Sequence, residues 1–401
     1  MEIPDIQQER RHLGEAGGRL AARAAAIGGV ALIAGIVFGL RAGDGGRSFF
    51  FAYLLNFAYV LSLALGALFF VILHHLTRAG WSVVVRRLGE AVAMTLPFMV
   101  LLFVPILLGL HQLYHWTHAD LVAQDAILRG KTPYLNLPFF LLRWAAYFGI
   151  WILLTRFFVR RSLDQDGSGD VELTLQMERR AALSMVLFAI TLTFASIDLL
   201  MTLDPHWYST IFGVYYFSGA VVGFFALLAL LTYWTQRAGF LRHAITIEHY
   251  HDLGKLLFAF VVFWAYIAFS QYMLYWYANM PEETEWFFRR QNHGWGWVGL
   301  AIVFGHFLVP FVALLSRTPK RQPRLLVVAA VWMLAMHWID LYWLVMPELR
   351  PTSPWPGAMD LLLLVALGAL SLGFGVWRVR RRSLIPERDP RLRESLTFEN
   401  A

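Results

Sequence analysis

Ten apolar runs, each near twenty residues or longer and separated by polar breaks, decide what this 401-residue chain can fold into. They lie at about 21–40, 49–75, 89–110, 138–159, 181–203, 210–234, 255–277, 296–316, 325–346 and 358–377. A hydrocarbon core about 30 Å thick is crossed by about 20 residues of helix, whereas a barrel strand needs only about 10. Lipid offers no partner to backbone N–H and C=O groups, so runs of this length must close their own hydrogen bonds as helices. The expected fold is all-α: a polytopic membrane protein of about ten transmembrane helices. Composition agrees, with 58% hydrophobic and 15% charged residues against about 25% charged in a soluble domain.

Charge placement sets the expected orientation. Of the 34 Lys and Arg, 26 fall on the face holding the N-terminus, the even-to-odd connections and the C-terminus. Seven fall opposite, Arg129 and Lys131 being the pair in the longest loop there, and Arg143 lies within a span. The positive-inside rule then puts both termini in the cytoplasm. The net charge of +7 is topology, not a nucleic-acid footprint, and Arg378, Arg380, Arg381 and Arg382 read as a stop-transfer signal that anchors to anionic membrane lipids. The polar N-terminus predicts no cleaved signal peptide.

The expected organisation is a cytoplasmic segment at 1–20, helices one to four within 21–160, a linker at 161–180, and helices five to nine within 181–346. An outer loop and helix ten follow at 347–377, then a basic cytoplasmic tail at 378–401. The stretch LDQDGSGDVE in the linker predicts a solvated seam between two four-helix bundles, helices two to five and six to nine. Helices one and ten are then peripheral, and GIVFG and GAVVG offer close-packing faces.

Zero cysteines exclude thiolate-bound iron–sulfur clusters, thioether-linked haem c, Cys zinc sites and disulfides. No metal set is expected, and the chain holds no covalent cofactor on this reading. Intramembrane ionisable groups are costly and are therefore the first candidates for function. Asp198, His306, His337 and Asp340 are expected in the outer half as a titratable cluster, His337 and Asp340 three residues apart on one helix face. Arg143 offers Asp198 an alternative, a structural ion pair. An inner set comprises His74, His75, Glu90, Glu248, His249, His251, Asp252 and Lys255, weighed against simple interfacial solvation. Tyr266, Ser270, Gln271 and Tyr272 on helix seven are candidate relays between the two, weighed against interface aromatics. His306 and His337 also permit a bis-histidine haem b reading, although a haem-carrying bundle ordinarily shows two such pairs.

Three stretches are more specific. Residues 196–215 read SIDLLMTLDPHWYSTIFGVY. Helix seven carries HDLGK from His251, FWAY from Phe263, FSQY from Phe269 and WYANMPEET from Trp276, and the ninth carries HWIDLYW from His337 with Pro347 beyond it. Together they resemble the ActF-type membrane subunits of alternative complex III, the bacterial quinol:cytochrome c oxidoreductase, over most of the chain from helix two to helix nine. The sequence departs from that pattern at Ile197 and Leu199, where an aromatic is expected beside the acid.

The resemblance implies an NrfD-like fold, of the polysulfide-reductase membrane-anchor type. It implies as partners a paralogous NrfD-like quinol-binding membrane subunit, an iron–sulfur subunit, haem c subunits and in some assemblies a cytochrome c oxidase, with no haem or iron–sulfur cluster in this chain. The function implied is proton translocation coupled to quinol oxidation next door. The alternatives are direct quinol binding at Asp204, His206, Trp207 and Tyr208, and a passive scaffold.

Overall fold

The structure, a computed structural model, describes residues 6–400. Ten helices are long and apolar enough to cross a membrane: α1 (Gly14–Arg41), α2 (Arg47–Leu76), α3 (Val83–Leu108), α4 (Leu137–Ser168), α5 (Val171–Leu203), α6 (Phe212–Arg237), α7 (Ile247–Ala278), α8 (Trp295–Leu315), α9 (Pro323–Glu348) and α10 (Ala358–Val379). No strand forms among the described residues. The protein is an all-α, multi-pass membrane protein. An even number of crossings returns both ends to one face, called here the terminal face. There the N-terminal segment pairs with the chain beyond α10, through the Gly14 amide on Arg380 O at 2.8 Å and the Leu384 amide on Arg11 O at 2.7 Å.

The centre of the molecule is α2. It is apolar on every side and buried over 89% of its most hydrophobic stretch, as expected of a helix with no solvent or lipid face. It packs on α3, α5, α6, α9 and α10, and α6 in turn packs on α5, α7 and α9. Helices α2–α5 and α6–α9 thus form two groups that meet along the α2–α6 seam. Outside them α1 lies on α10 and α2, while α8 packs chiefly on α7 and α9.

Small residues set the close approaches. A Cβ on Gly66 of α2 would come within 2.5 Å of Phe224 Cβ and 2.6 Å of Ala220 O on α6. In GIVFG, Gly35 and Gly39 face Leu363 and Phe49; in GAVVG, Gly219 and Gly223 face His337 of α9.

The stretch 161–180 differs from its expected form. Helix α4 continues to Ser168 and α5 starts at Val171, so the linker shrinks to two residues. Gly169 adopts φ +69° as the C-cap of α4, and the Asp170 carboxylate accepts from the Glu172 amide at 2.9 Å to cap α5. Helix-capping chemistry, not a solvated seam, is what the Gly and Asp residues supply. At 32 residues, α4 is about 48 Å long, so it projects well past the hydrocarbon.

The seam gives a direct test. Gly66→Val forces α2 and α6 apart and is expected to lower the melting temperature in detergent sharply, whereas Gly29→Ala, with open space around its Cβ, leaves it unchanged.

Candidate functional site

Asp198 stands apart from the other ionisable groups inside the membrane. On α5 it accepts two hydrogen bonds from Arg143 of α4, Nε to Oδ2 at 2.8 Å and an η nitrogen to Oδ1 at 2.9 Å. The Tyr147 hydroxyl adds a third at 2.9 Å. The guanidinium also donates to Tyr134 O at 2.8 Å and lies 3.8 Å from the Tyr134 ring centre. Bidentate geometry with both carboxylate oxygens engaged makes this the structural ion pair, and it removes Asp198 from the expected outer cluster.

His306, His337 and Asp340 do come together. All three are buried, and one ligand atom from each lies within 4.8 Å of the others. Helix α9 supplies His337 and Asp340 one turn apart. Gly219 and Gly223 on α6 make the space, since a Cβ on Gly223 would stand 2.7 Å from His337 Cδ2. The Ser62 hydroxyl of α2 donates to Tyr59 O at 2.7 Å and so receives the His337 Nε2 proton at 2.8 Å. That fixes the neutral tautomer with its lone pair on Nδ1, which has no partner. Asp340 accepts from Tyr215 at Oδ1 and from Trp264 Nε1 at Oδ2, 3.2 Å away.

His306 lies within the π-helical turn Val303–Leu308 of α8, a distortion common at functional positions. Its ring lies against Trp264 with centres 3.8 Å apart, and neither ring nitrogen has a partner. No ion pair among the described residues reaches Asp340. The trio is thus a carboxylate without a fixed cation, beside two imidazoles with free lone pairs.

Beside this cluster a cleft of about 1060 Å³ opens between α7 and α8, lined by Trp264, Gln271, Arg290, Trp297, Leu300 and Trp343. Tyr215 and Trp264 line it as well, so the two donors to Asp340 form its inner wall. The relay residues are not a wire through the bundle. Tyr266 is 65% exposed and Tyr272 41%. The Ser270 hydroxyl turns back to Tyr266 O at 2.6 Å, and only Gln271 is buried, its Oε1 without a partner.

Of Asp204, His206, Trp207 and Tyr208, only Asp204 and Trp207 line a common cavity, of about 10 Å³, room for a single water and not for a quinol head. Asp204 pairs with Arg289, and His206 Nε2 meets Asp125 at 2.5 Å. Trp207 stacks flat on Trp286, ring centres 4.3 Å apart, while Tyr208 is 54% exposed. The aromatics here pack the loop against the helix Pro281–Arg289.

At the terminal face the inner set divides into separate local contacts. His74 donates from Nδ1 to Phe70 O at 2.7 Å, one turn back, and His75 stacks on Phe158 at 5.4 Å. Glu90 sits between Arg86 at 3.5 Å and Arg87 at 3.0 Å; Arg86 also pairs with Asp389, and Arg87 with Asp166 at 2.8 Å. His249 Nδ1 accepts from the Thr246 amide at 3.0 Å, capping α7, and its Nε2 donates to Ser395 O at 3.1 Å. Glu248 pairs with Arg321, and Asp252 with Lys255. His251 is buried alongside.

The chain beyond α10 is not a free basic tail. The four arginines at the helix end are followed by a segment folded back across the terminal face. Leu384, Ile385, Leu392 and Leu396 are buried, the Ser395 hydroxyl donates to Trp81 O at 2.6 Å, and the Glu387 amide binds Asp166 at 3.0 Å. This segment meets Arg86 through Asp389 and His249 through Ser395 O. Sequence reasoning missed Asp166 and Asp389, which carry no local signal. The spacing of Arg86 and Arg87 to Glu90, one helical turn, was available as one.

Two outcomes are expected. Arg143→Ala strands a buried carboxylate and should cost about 3–5 kcal/mol, read by denaturation in detergent, whereas Arg143→Met with Asp198→Asn recovers most of it. For the folded-back segment, burial raises the Asp389 carboxyl, but Arg86 and the Arg391 amide outweigh that and hold it below its ordinary 3.8. A carboxyl lowered on folding stabilises above its unfolded value and loses that contribution as pH falls through the folded one. Amide exchange across 383–400 should therefore stay protected down to about pH 4 and rise only below it, while Asp389→Asn raises it at neutral pH.

No protein-family model and no curated protein matches the chain.

Proposed function

We propose that this chain is the proton-handling membrane subunit of a respiratory quinol:electron-acceptor oxidoreductase of the alternative complex III type, with Asp340, His306 and His337 as its titrating centre. The observation that carries the reading is Asp340 itself: a carboxylate buried among spanning helices with no fixed cation, next to imidazole nitrogens that have no partner. Isolated charges are expensive in hydrocarbon, so a group left in this state is suited to exchanging a proton. The sequence motifs on α5, α7 and α9 supply the rest. By their resemblance, the chain's neighbours are a paralogous quinol-oxidising subunit, an iron–sulfur subunit and haem c subunits in a bacterial cytoplasmic membrane, with the terminal face inward.

Direct quinol binding is the second reading, and the cleft between α7 and α8 favours it over the Asp204–Tyr208 segment. A flat aromatic head entering from lipid would reach Trp264 and Tyr215, one hydrogen bond from Asp340.

In liposomes containing the whole complex, Asp340→Asn should let quinol oxidation continue while the proton-to-electron ratio falls to that of the oxidation chemistry alone. Asp198→Asn should leave the ratio intact in the protein that folds. An unchanged ratio in Asp340→Asn overturns the proton reading. Loss of oxidation on filling the cleft with Leu300→Trp, with coupling intact at Asp340→Asn, would favour the second.

A further inference from the structure

We propose that His306, His337 and Asp340 form a binding site for one divalent transition-metal ion of the zinc class. Two imidazoles and one carboxylate from three separate turns of α8 and α9 converge on one point, and each group presents a usable lone pair. His337 offers Nδ1 because its Nε2 proton is committed to Ser62 at 2.8 Å. His306 offers either nitrogen, since both lack partners. Asp340 has its two oxygens aimed by Tyr215 and by Trp264.

That outer arrangement is what metal sites use. A ligating imidazole ordinarily donates its other N–H to a fixed acceptor, which sets tautomer and ring angle, and a ligating carboxylate is itself held by donors. Ser62, Tyr215 and Trp264 fill those roles. Gly219 keeps the point itself open, because a Cβ there would stand 3.1 Å from His337 Nδ1 and 3.7 Å from Asp340 Oδ2.

Donor chemistry selects the ion. Imidazole nitrogen suits zinc, copper, nickel and iron, whereas magnesium and calcium want oxygen alone. Three protein ligands leave a fourth tetrahedral position open, the pattern of catalytic or regulatory rather than structural zinc. The fit requires some closure. Bonds of about 2.0–2.2 Å set tetrahedral ligands about 3.4 Å apart, so a pair at the 4.8 Å limit approaches by up to about 1.4 Å, the scale of an imidazole turning about its χ angles.

Binding stands independently of the proton reading. If both hold, the ion occupies the lone pairs that protons need and arrests transfer, so zinc would inhibit coupling from within the membrane.

The test uses the full chain purified in detergent, stripped with chelator, titrated with Zn²⁺ and desalted before metal analysis. One ion per chain is expected, with Co²⁺ giving the visible absorption of tetrahedral nitrogen and oxygen coordination. His306→Gln, His337→Gln and Asp340→Asn should each abolish stoichiometric retention and the cobalt bands. Ser62→Ala, which leaves all three ligands in place, should weaken binding about 10-fold or more and covers the case in which a ligand variant fails to fold. No retained ion in the parent protein, or equal retention in the ligand variants through surface histidines, overturns the proposal. Coupling lost in Asp340→Asn without zinc binding in the parent would leave the proton reading standing and this one rejected. Zinc binding with coupling intact in Asp340→Asn would do the reverse.

Discussion

Hydrocarbon supplies neither counter-ion nor hydrogen-bond partner, so each charge placed inside it has to be met by the protein. The chain meets that constraint in three ways. Asp198 receives a guanidinium in bidentate contact. Glu90, Asp166 and Asp389 share Arg86 and Arg87 near the terminal face, where water is close and the folded-back segment closes over them. Asp340 receives only neutral donors, a phenol and an indole. The first two arrangements are static by construction, because arginine keeps its proton at any ordinary pH.

Packing decides which residues can take part. Glycines at 66, 219 and 223 bring α2, α6 and α9 close enough for Ser62, His337 and Asp340 to meet at the seam. The same density isolates them from the terminal face. Along α2 every residue from 63 to 73 is nonpolar, which separates Ser62 from His74 by about 18 Å of helix. No side chain of α2 bridges that distance, so a proton following this helix would need ordered water or groups from its neighbours.

How much of the fold and site is legible in the sequence depends on the range of the interaction. Each of the ten spans is legible, since a run of apolar residues is a local property, and only their ends drift, as where α1, α3, α5 and α7 begin earlier and α4 runs later than hydropathy indicates. The pairing of His337 with Asp340 follows from one-turn spacing, and the Arg143–Asp198 pair is legible as an alternative. What joins His306 to the first pair, and Arg143 to Asp198 instead of to another acid, is helix adjacency, which hydropathy does not encode. Tyr215 and Trp264 look like ordinary interior aromatics until α6 and α7 are seen to face α9. The fold-back of 383–400 is hidden for a related reason: its few apolar side chains, Leu384, Ile385, Leu392 and Leu396, are too sparse to stand out beside ten spans.

The contrast between Asp198 and Asp340 shows why an intramembrane acid is a poor functional marker alone. Both are buried, both accept from tyrosine, and both sit on spanning helices. Asp198 is already neutralised by a partner that cannot release its charge, so protonating it would strand a guanidinium. Asp340 can reach neutrality by taking up a small cation, whether a proton or, with the imidazoles, a metal ion. Capacity for exchange therefore follows from the missing fixed cation rather than from the carboxylate. In this fold that distinction is set by a single arginine on α4 that meets Asp198, whereas Arg290, bonded to Trp343 O and Leu344 O of α9, pairs with Glu348 and not with Asp340.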